Sequence, residues 1–172
     1  NGLKDKGELP EFTAEIELAQ IVMNSEPTIA ENNRVVKELN EIRQAVIDGS
    51  SFRMKAIINS KDPSVTQNGG RMEVTKESGF IKEFKEVSFS LEKDEISKPF
   101  KTLFGYHIIQ LHEVNGNTRI VSHILLQPEI PESRLKETQL KVEEIKRDIE
   151  EGKITFEEAV KKYSDDKDSK NN

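Results

Sequence analysis

Residues 15–23 alternate between polar and apolar and then turn wholly apolar at Ile21, Val22 and Met23, which predicts a β-strand. Thr28 with Glu31 three positions later is a capping-box pattern. Behind it, Val35, Leu39, Ile42 and Val46 fall at i, i+4, i+7 and i+11, one apolar stripe along a helix, and Gly49 suits its C-terminal stop. Residues 52–58 predict a second, shorter helix. Asp62 before Pro63, and Asn68 before Gly69 and Gly70, mark turns. Further on, 69–75 reads as a turn into a strand and 81–87 as a short helix carrying Phe84. Residues 95–100 read as a short extended piece, and 105–113 as the strongest strand after the first.

The pattern then starts again. Residues 19–23 face 122–126 at an offset of 103, and Ile42, Val46 and Gly49 face Ile145, Ile149 and Gly152 at the same offset. Phe52, Ser60 and Asp62 face Phe156, Ser164 and Asp166 after one inserted residue. Strand, long helix, glycine stop, Phe-led helix and Ser-x-Asp loop recur in order, which makes an internal repeat. The chain divides into a tail or linker at 1–16, a complete unit at 17–115 and the first half of a second unit at 116–172. The fold class is α+β, with a four-stranded mixed or antiparallel sheet and about four helices in the complete unit. Strands interleaved with helices of unequal length, followed by hairpin-like strands, disfavour a doubly wound sheet.

Composition narrows the function. Of 172 residues, 34% are hydrophobic and 34% charged, with 26 Lys and Arg against 32 Asp and Glu, a net charge of −6. Nonspecific nucleic-acid binding needs clustered positive charge and is disfavoured. No run of 18 apolar residues exists, so no helical membrane span is expected. The absence of Cys removes thiol chemistry, disulfides and cysteine metal sites. The chain opens at Asn1 without a signal-peptide pattern and ends in a polar stretch from Ser164, which reads as a piece of a longer protein. Asp165, Asp166 and Asp168 superficially resemble a calcium loop but lack its central Gly and terminal Glu. Gly69 and Gly70 are not followed by the Lys of a phosphate loop. His112 reads as an exposed strand-end residue.

Several stretches together carry a resemblance. They are residues 19–22, Phe52, Ser60 with Asp62, Gly69 with Gly70, and Phe84 followed by 88–91. The closing run has Glu95, Ile96, Ser97, Pro99, Thr102, Phe104, Gly105, Tyr106, His107, Ile108 and Ile109. Residues 17–115 resemble a parvulin-type peptidyl-prolyl cis/trans isomerase domain, a member of the FKBP-like folds. Residues 118–172 resemble the opening half of a second, and two in tandem resemble SurA-type periplasmic chaperones, which escort outer-membrane proteins.

The resemblance implies a site with no metal and no cofactor. Met72, Phe80, Phe84 and Phe104 would wall a proline pocket, with Thr102 on its floor. His107 occupies one family histidine position, Asp62 the Cys/Asp position, and Gln20 the place of the first-strand histidine. Gln hydrogen-bonds but does not titrate, so weak isomerisation is expected of the first domain. The second copy keeps His123 and Asp166 at the corresponding places. The implied partners are unfolded or extended segments containing Xaa-Pro, without stable membrane insertion, and the implied address is the periplasm. Two functions follow: a working isomerase, or a parvulin fold kept as a peptide-holding chaperone module. The half-repeat lacks its own sheet, so Ile124, Leu125, Leu126, Leu135, Val142, Ile145 and Ile149 need other partners. It is expected to dock on the first domain, or to pair between chains by swapping and so form a dimer.

Overall fold

The computed structural model describes residues 19–166. The tail expected at 1–16, the first part of the strand expected at 15–23 and the end at 167–172 lie outside the described residues. Two compact units are present. One is Ser25–Leu135; the other joins the described residues before Ser25 to those from Lys136 onward. Both differ from the boundaries at 16/17 and 115/116 that the repeat suggested.

The first unit opens with α1 (Ile29–Ile47), α2 (Phe52–Asn59), α3 (Val65–Asn68), β1 (Arg71–Thr75) and α4 (Lys82–Ser90). It closes with β2 (Phe100–Thr102), β3 (Gly105–Asn115) and β4 (Thr118–Leu126). Thr28 caps α1 by accepting the Glu31 N–H at 3.2 Å, as its sequence pattern predicts. Val35, Leu39 and Ile42 of the predicted stripe are buried. The sheet is antiparallel throughout, in the order β1-β4-β3-β2.

Alternation along β3 sorts its side chains to the two faces. Ile108 joins Val35, Leu39, Phe52, Ala56, Ile124 and Leu126 beneath α1 and α2. Ile109 and Leu111 join Val74, Phe84 and Val121 on the opposite face, with Met72, Phe80 and Phe100 packed at the edge.

The strand count matches expectation, but one strand is not the expected one. Residues 19–23 carry no regular secondary structure and take no part in the sheet. The strand between β1 and β3 is β4, from the second repeat. Its hairpin with β3 turns on two residues, Gly116 and Asn117, between the paired Asn115 and Thr118. Gly116 has φ +57°, the left-handed conformation that a two-residue II′ turn requires at its first position. A local turn thus hands the first unit its central strand. It also buries Ile124, Leu125 and Leu126, which the half-repeat would otherwise leave bare.

The second unit holds most of α5 (Glu132–Glu150) and all of α6 (Phe156–Tyr163). Thr155 and Glu158 close a full capping box on α6, and Ile145, Ala159 and Val160 are buried. Residues 21–24 lie against these helices. Asp165 N–H donates to the Val22 carbonyl at 2.7 Å, and Val22 N–H donates to Ser164 Oγ at 3.2 Å. Ile21, Val142, Ile145, Ile149 and Phe156 line an apolar cavity of about 270 Å³. Among the described residues no helix is long and apolar enough to cross a membrane.

Candidate active site

Four elements of the first unit converge on a ring cluster on the α4 side of the sheet. β3 contributes His107, β4 contributes His123, α4 contributes Phe84, and β2 contributes Phe100 and Thr102. Phe84 meets both imidazoles edge-on, with centroids 5.7 Å from His107 and 5.6 Å from His123. Phe100 stacks on His107 at 5.5 Å, and the two imidazoles are 6.0 Å apart. His107, His123, Phe84 and Thr102 are all buried; Met72, Phe80 and Phe100 are half-exposed beside them.

His123 is the best-held member. Its Nε2 lies 2.8 Å from Asp62 Oδ2, and its Nδ1 lies 3.3 Å from the Gly70 carbonyl. Both neighbours are acceptors, so the ring N–H serves them. Asp62 comes from the loop after α2, where Ser60 Oγ accepts the N–H groups of both Asp62 (3.3 Å) and Leu125 (3.1 Å). Burial raises the Asp62 carboxyl, but hydrogen bonds from Ser64 and the neighbouring His123 outweigh it and hold the group below the ordinary carboxylate range. Gly70 is required where it stands. At φ +81°, a Cβ there would lie 2.6 Å from the His123 carbonyl oxygen, so only glycine lets β1 close on β4.

His107 behaves differently. Its Nε2 is 2.8 Å from Thr102 Oγ1, and its Nδ1 is buried without a partner. Burial, then the neighbouring His123, pushes it down to about 4, so it is neutral at pH 7. Thr102 Oγ1 also accepts the Phe104 N–H at 3.1 Å, which fixes the β2–β3 turn.

The structure therefore brings together His107, Asp62, Thr102, Phe84, Phe80 and Met72 of the residues read from the sequence. It adds His123, which the repeat places in the second copy beside Asp166. It does not bring in Gln20, which is exposed and belongs to the other unit. Asp166 also lies in that other unit, where its N–H donates to Ser164 Oγ at 3.3 Å. Phe104 is 54% exposed in the turn, and Phe100 takes the place beside His107. The alternation of β2 carries that signal, because Phe100 and Thr102 must share a face. His112 is half-buried rather than exposed, its Nε2 2.8 Å from Ser122 Oγ on the other face of the sheet.

Apolar side chains beside a few fixed hydrogen-bonding groups are what recognition of an apolar ring requires. Rotation about an Xaa-Pro amide breaks no covalent bond; it forfeits amide resonance, with a barrier of roughly 18–20 kcal/mol. A catalyst must favour the twisted amide over both planar forms. Apolar walls disfavour the charge-separated planar amide, and the neutral His107 imidazole offers a hydrogen bond without a net charge.

Comparison with known proteins agrees with this chemistry. The family model described as Rotamase: PPIC-type PPIASE domain matches residues 20–113 and 123–172. Chaperone SurA of Salmonella typhimurium (strain LT2) is 29% identical over 177 residues, 98% of this chain and 41% of that protein. Chaperone SurA of Escherichia coli O157:H7 is 28% identical over 174 residues, 96% of this chain and 40% of that protein. The chain thus spans about two fifths of the length of these curated relatives. PrsA from Bacillus subtilis overlays with a TM-score of 0.37 at 22% identity, covering 86% of this chain and 61% of PrsA.

Proposed function

Because this chain belongs to the PPIC-type peptidyl-prolyl isomerase (rotamase) family, we propose that its first unit isomerises Xaa-Pro bonds, and that it does so with His123 rather than Gln20. The observation that carries this is the hydrogen bond between His123 and Asp62, 2.8 Å long, within a ring cluster that includes neutral His107. Asp62 fixes the His123 ring. His107 and His123 offer hydrogen bonds to the twisting amide, and Phe84, Phe80, Phe100 and Met72 hold the proline ring. Uncatalysed rotation takes tens to hundreds of seconds, so a modest preference for the twisted amide is a useful acceleration.

The relatives named as chaperones support a second layer. The unit sits in a SurA-like chaperone that holds extended, proline-containing segments of outer-membrane proteins in the periplasm.

Exchange NMR on a short Xaa-Pro peptide tests the reading, with the chain and with His107→Ala and His123→Ala variants. Faster cis/trans exchange that both variants lose supports an isomerase. Peptide shift changes without faster exchange leave a holding module and refute the catalytic reading.

A further inference from the structure

The segments that open the two repeats each rest on the other repeat's loop. Residues 21–24 lead into α1 of the first repeat but rest on α6 and the loop after it, which belong to the second. β4 opens the second repeat but rests on the loop after α2, which belongs to the first. The two docking sites are copies. In one, Lys61 N–H donates to the Leu125 carbonyl at 2.7 Å and Leu125 N–H donates to Ser60 Oγ at 3.1 Å. In the other, Asp165 N–H donates to the Val22 carbonyl at 2.7 Å and Val22 N–H donates to Ser164 Oγ at 3.2 Å. Each serine also accepts the N–H two residues ahead at 3.3 Å, from Asp62 and Asp166. The helices that follow the strands, Ile29–Ile47 and Glu132–Glu150, each run 19 residues and start at the same offset of 103 as Val22 and Leu125.

The matching loop contacts and helix offsets leave the β3–β4 turn as the backbone feature that favours β4 over residues 20–23 in the sheet. Side chains do not exclude the alternative. Ile21, Val22 and Met23 would replace Ile124, Leu125 and Leu126, all apolar and of similar volume. What changes is the residue beside Asp62: His123 in the form described, Gln20 in the other.

We propose that the slot between β1 and β3 is a strand-exchange switch that accepts either 20–23 or 123–126, so that strand choice sets whether the ring cluster beside Asp62 carries one imidazole or two. The effect on catalysis rests on the isomerase reading above; the exchange itself does not.

The chain has no cysteine, so the exchange can be read by disulfides alone. Arg71 pairs directly with Ser122, and the offset of 103 places Ala19 at the same spot in the alternative. Directly opposed residues on antiparallel strands lie about 4.5–5.5 Å apart between Cα atoms, within disulfide range. The chain carrying Ala19→Cys, Arg71→Cys and Ser122→Cys is brought to equilibrium in a thiol–disulfide buffer, and the monomer is digested for mass spectrometry. The expected result is linkage of position 71 to both 19 and 122. Linkage to only one of them, or only between chains, overturns the proposal. In the paired variants, the 71–122 link should preserve fast prolyl exchange and the 19–71 link should abolish it. Adding Gln20→His to the 19–71 pair should restore it. Dual linkage with no exchange in any linked chain would refute the isomerase reading and leave the strand exchange standing.

Discussion

His123 Nε2 lies 2.8 Å from Asp62 Oδ2 although the two residues are 61 positions apart and belong to different repeats. The contact exists because two backbone features coincide. The β3–β4 hairpin brings His123 to the middle of the sheet, and the Ser60 hydroxyl ties the Asp62 loop to the same strand at Leu125.

Replacing the carboxylate should loosen that tie. Asp62→Ala removes a hydrogen bond between a charged group and a buried ring, worth about 2 kcal/mol. It also removes the Ser64 N–H contact at 2.8 Å. Urea unfolding should show a loss of about that size, and Asp62→Asn a smaller one.

Acid should destabilise the fold well above the carboxylate range. His107 titrates at about 4 in the folded chain against an ordinary 6.5. Between those values the unfolded chain binds the extra proton, so stability rises with pH there. The contribution is complete above about 6.5 and is lost as pH falls through 4, about 3 kcal/mol at roughly 1.4 kcal/mol per pH unit. The lowered Asp62 carboxyl adds a loss of the same sign at lower pH. In His107→Phe, unfolding free energy measured from pH 7.5 to 4 should lose most of this slope.

Gly70→Ala should be among the costliest single-methyl additions to the chain. The left-handed φ costs an alanine roughly 1–2 kcal/mol. The new Cβ would also press on the His123 carbonyl, which belongs to backbone and yields little. A loss of about 3 kcal/mol in unfolding free energy is expected. Gly116→Ala, where nothing lies within 4 Å, should cost only the strain.

The phenylalanines of β2 and of the turn after it should separate cleanly. Phe100→Ala removes the ring stacked on His107 and should weaken peptide binding at least tenfold by NMR titration. Phe104→Ala removes a ring that is 54% exposed and should change affinity less than twofold.

Most of the fold is legible in the sequence because its signals are local. The stripe through Val35, Leu39 and Ile42, the Thr28 cap, and the alternation along 105–113 all report contacts within one element. The candidate site residues Asp62, Thr102, Phe84 and His107 are legible by resemblance. The occupant of the central strand is not, because residues 19–23 and 122–126 have equivalent apolar patterns. The signal that decides between them is the Gly116-Asn117 turn, a hairpin pattern between two apolar runs. Read so, it attaches β4 to β3 and brings His123 to Asp62. Phe100 was hidden by Phe104, which has the same ring but sits where the turn faces outward.

The two-residue turn at Gly116 and Asn117 also sets an order of events. A hairpin closes in about 1–10 μs because its partners are neighbours in the chain, whereas residues 19–24 must close a loop of some eighty residues to reach β3. A chain diluted from denaturant offers the slot to β4 first. A chain emerging from the ribosome completes residues 19–115 before β4 exists, and offers it to the N-terminal strand first. The route by which the molecule is made therefore decides which residue first stands beside Asp62.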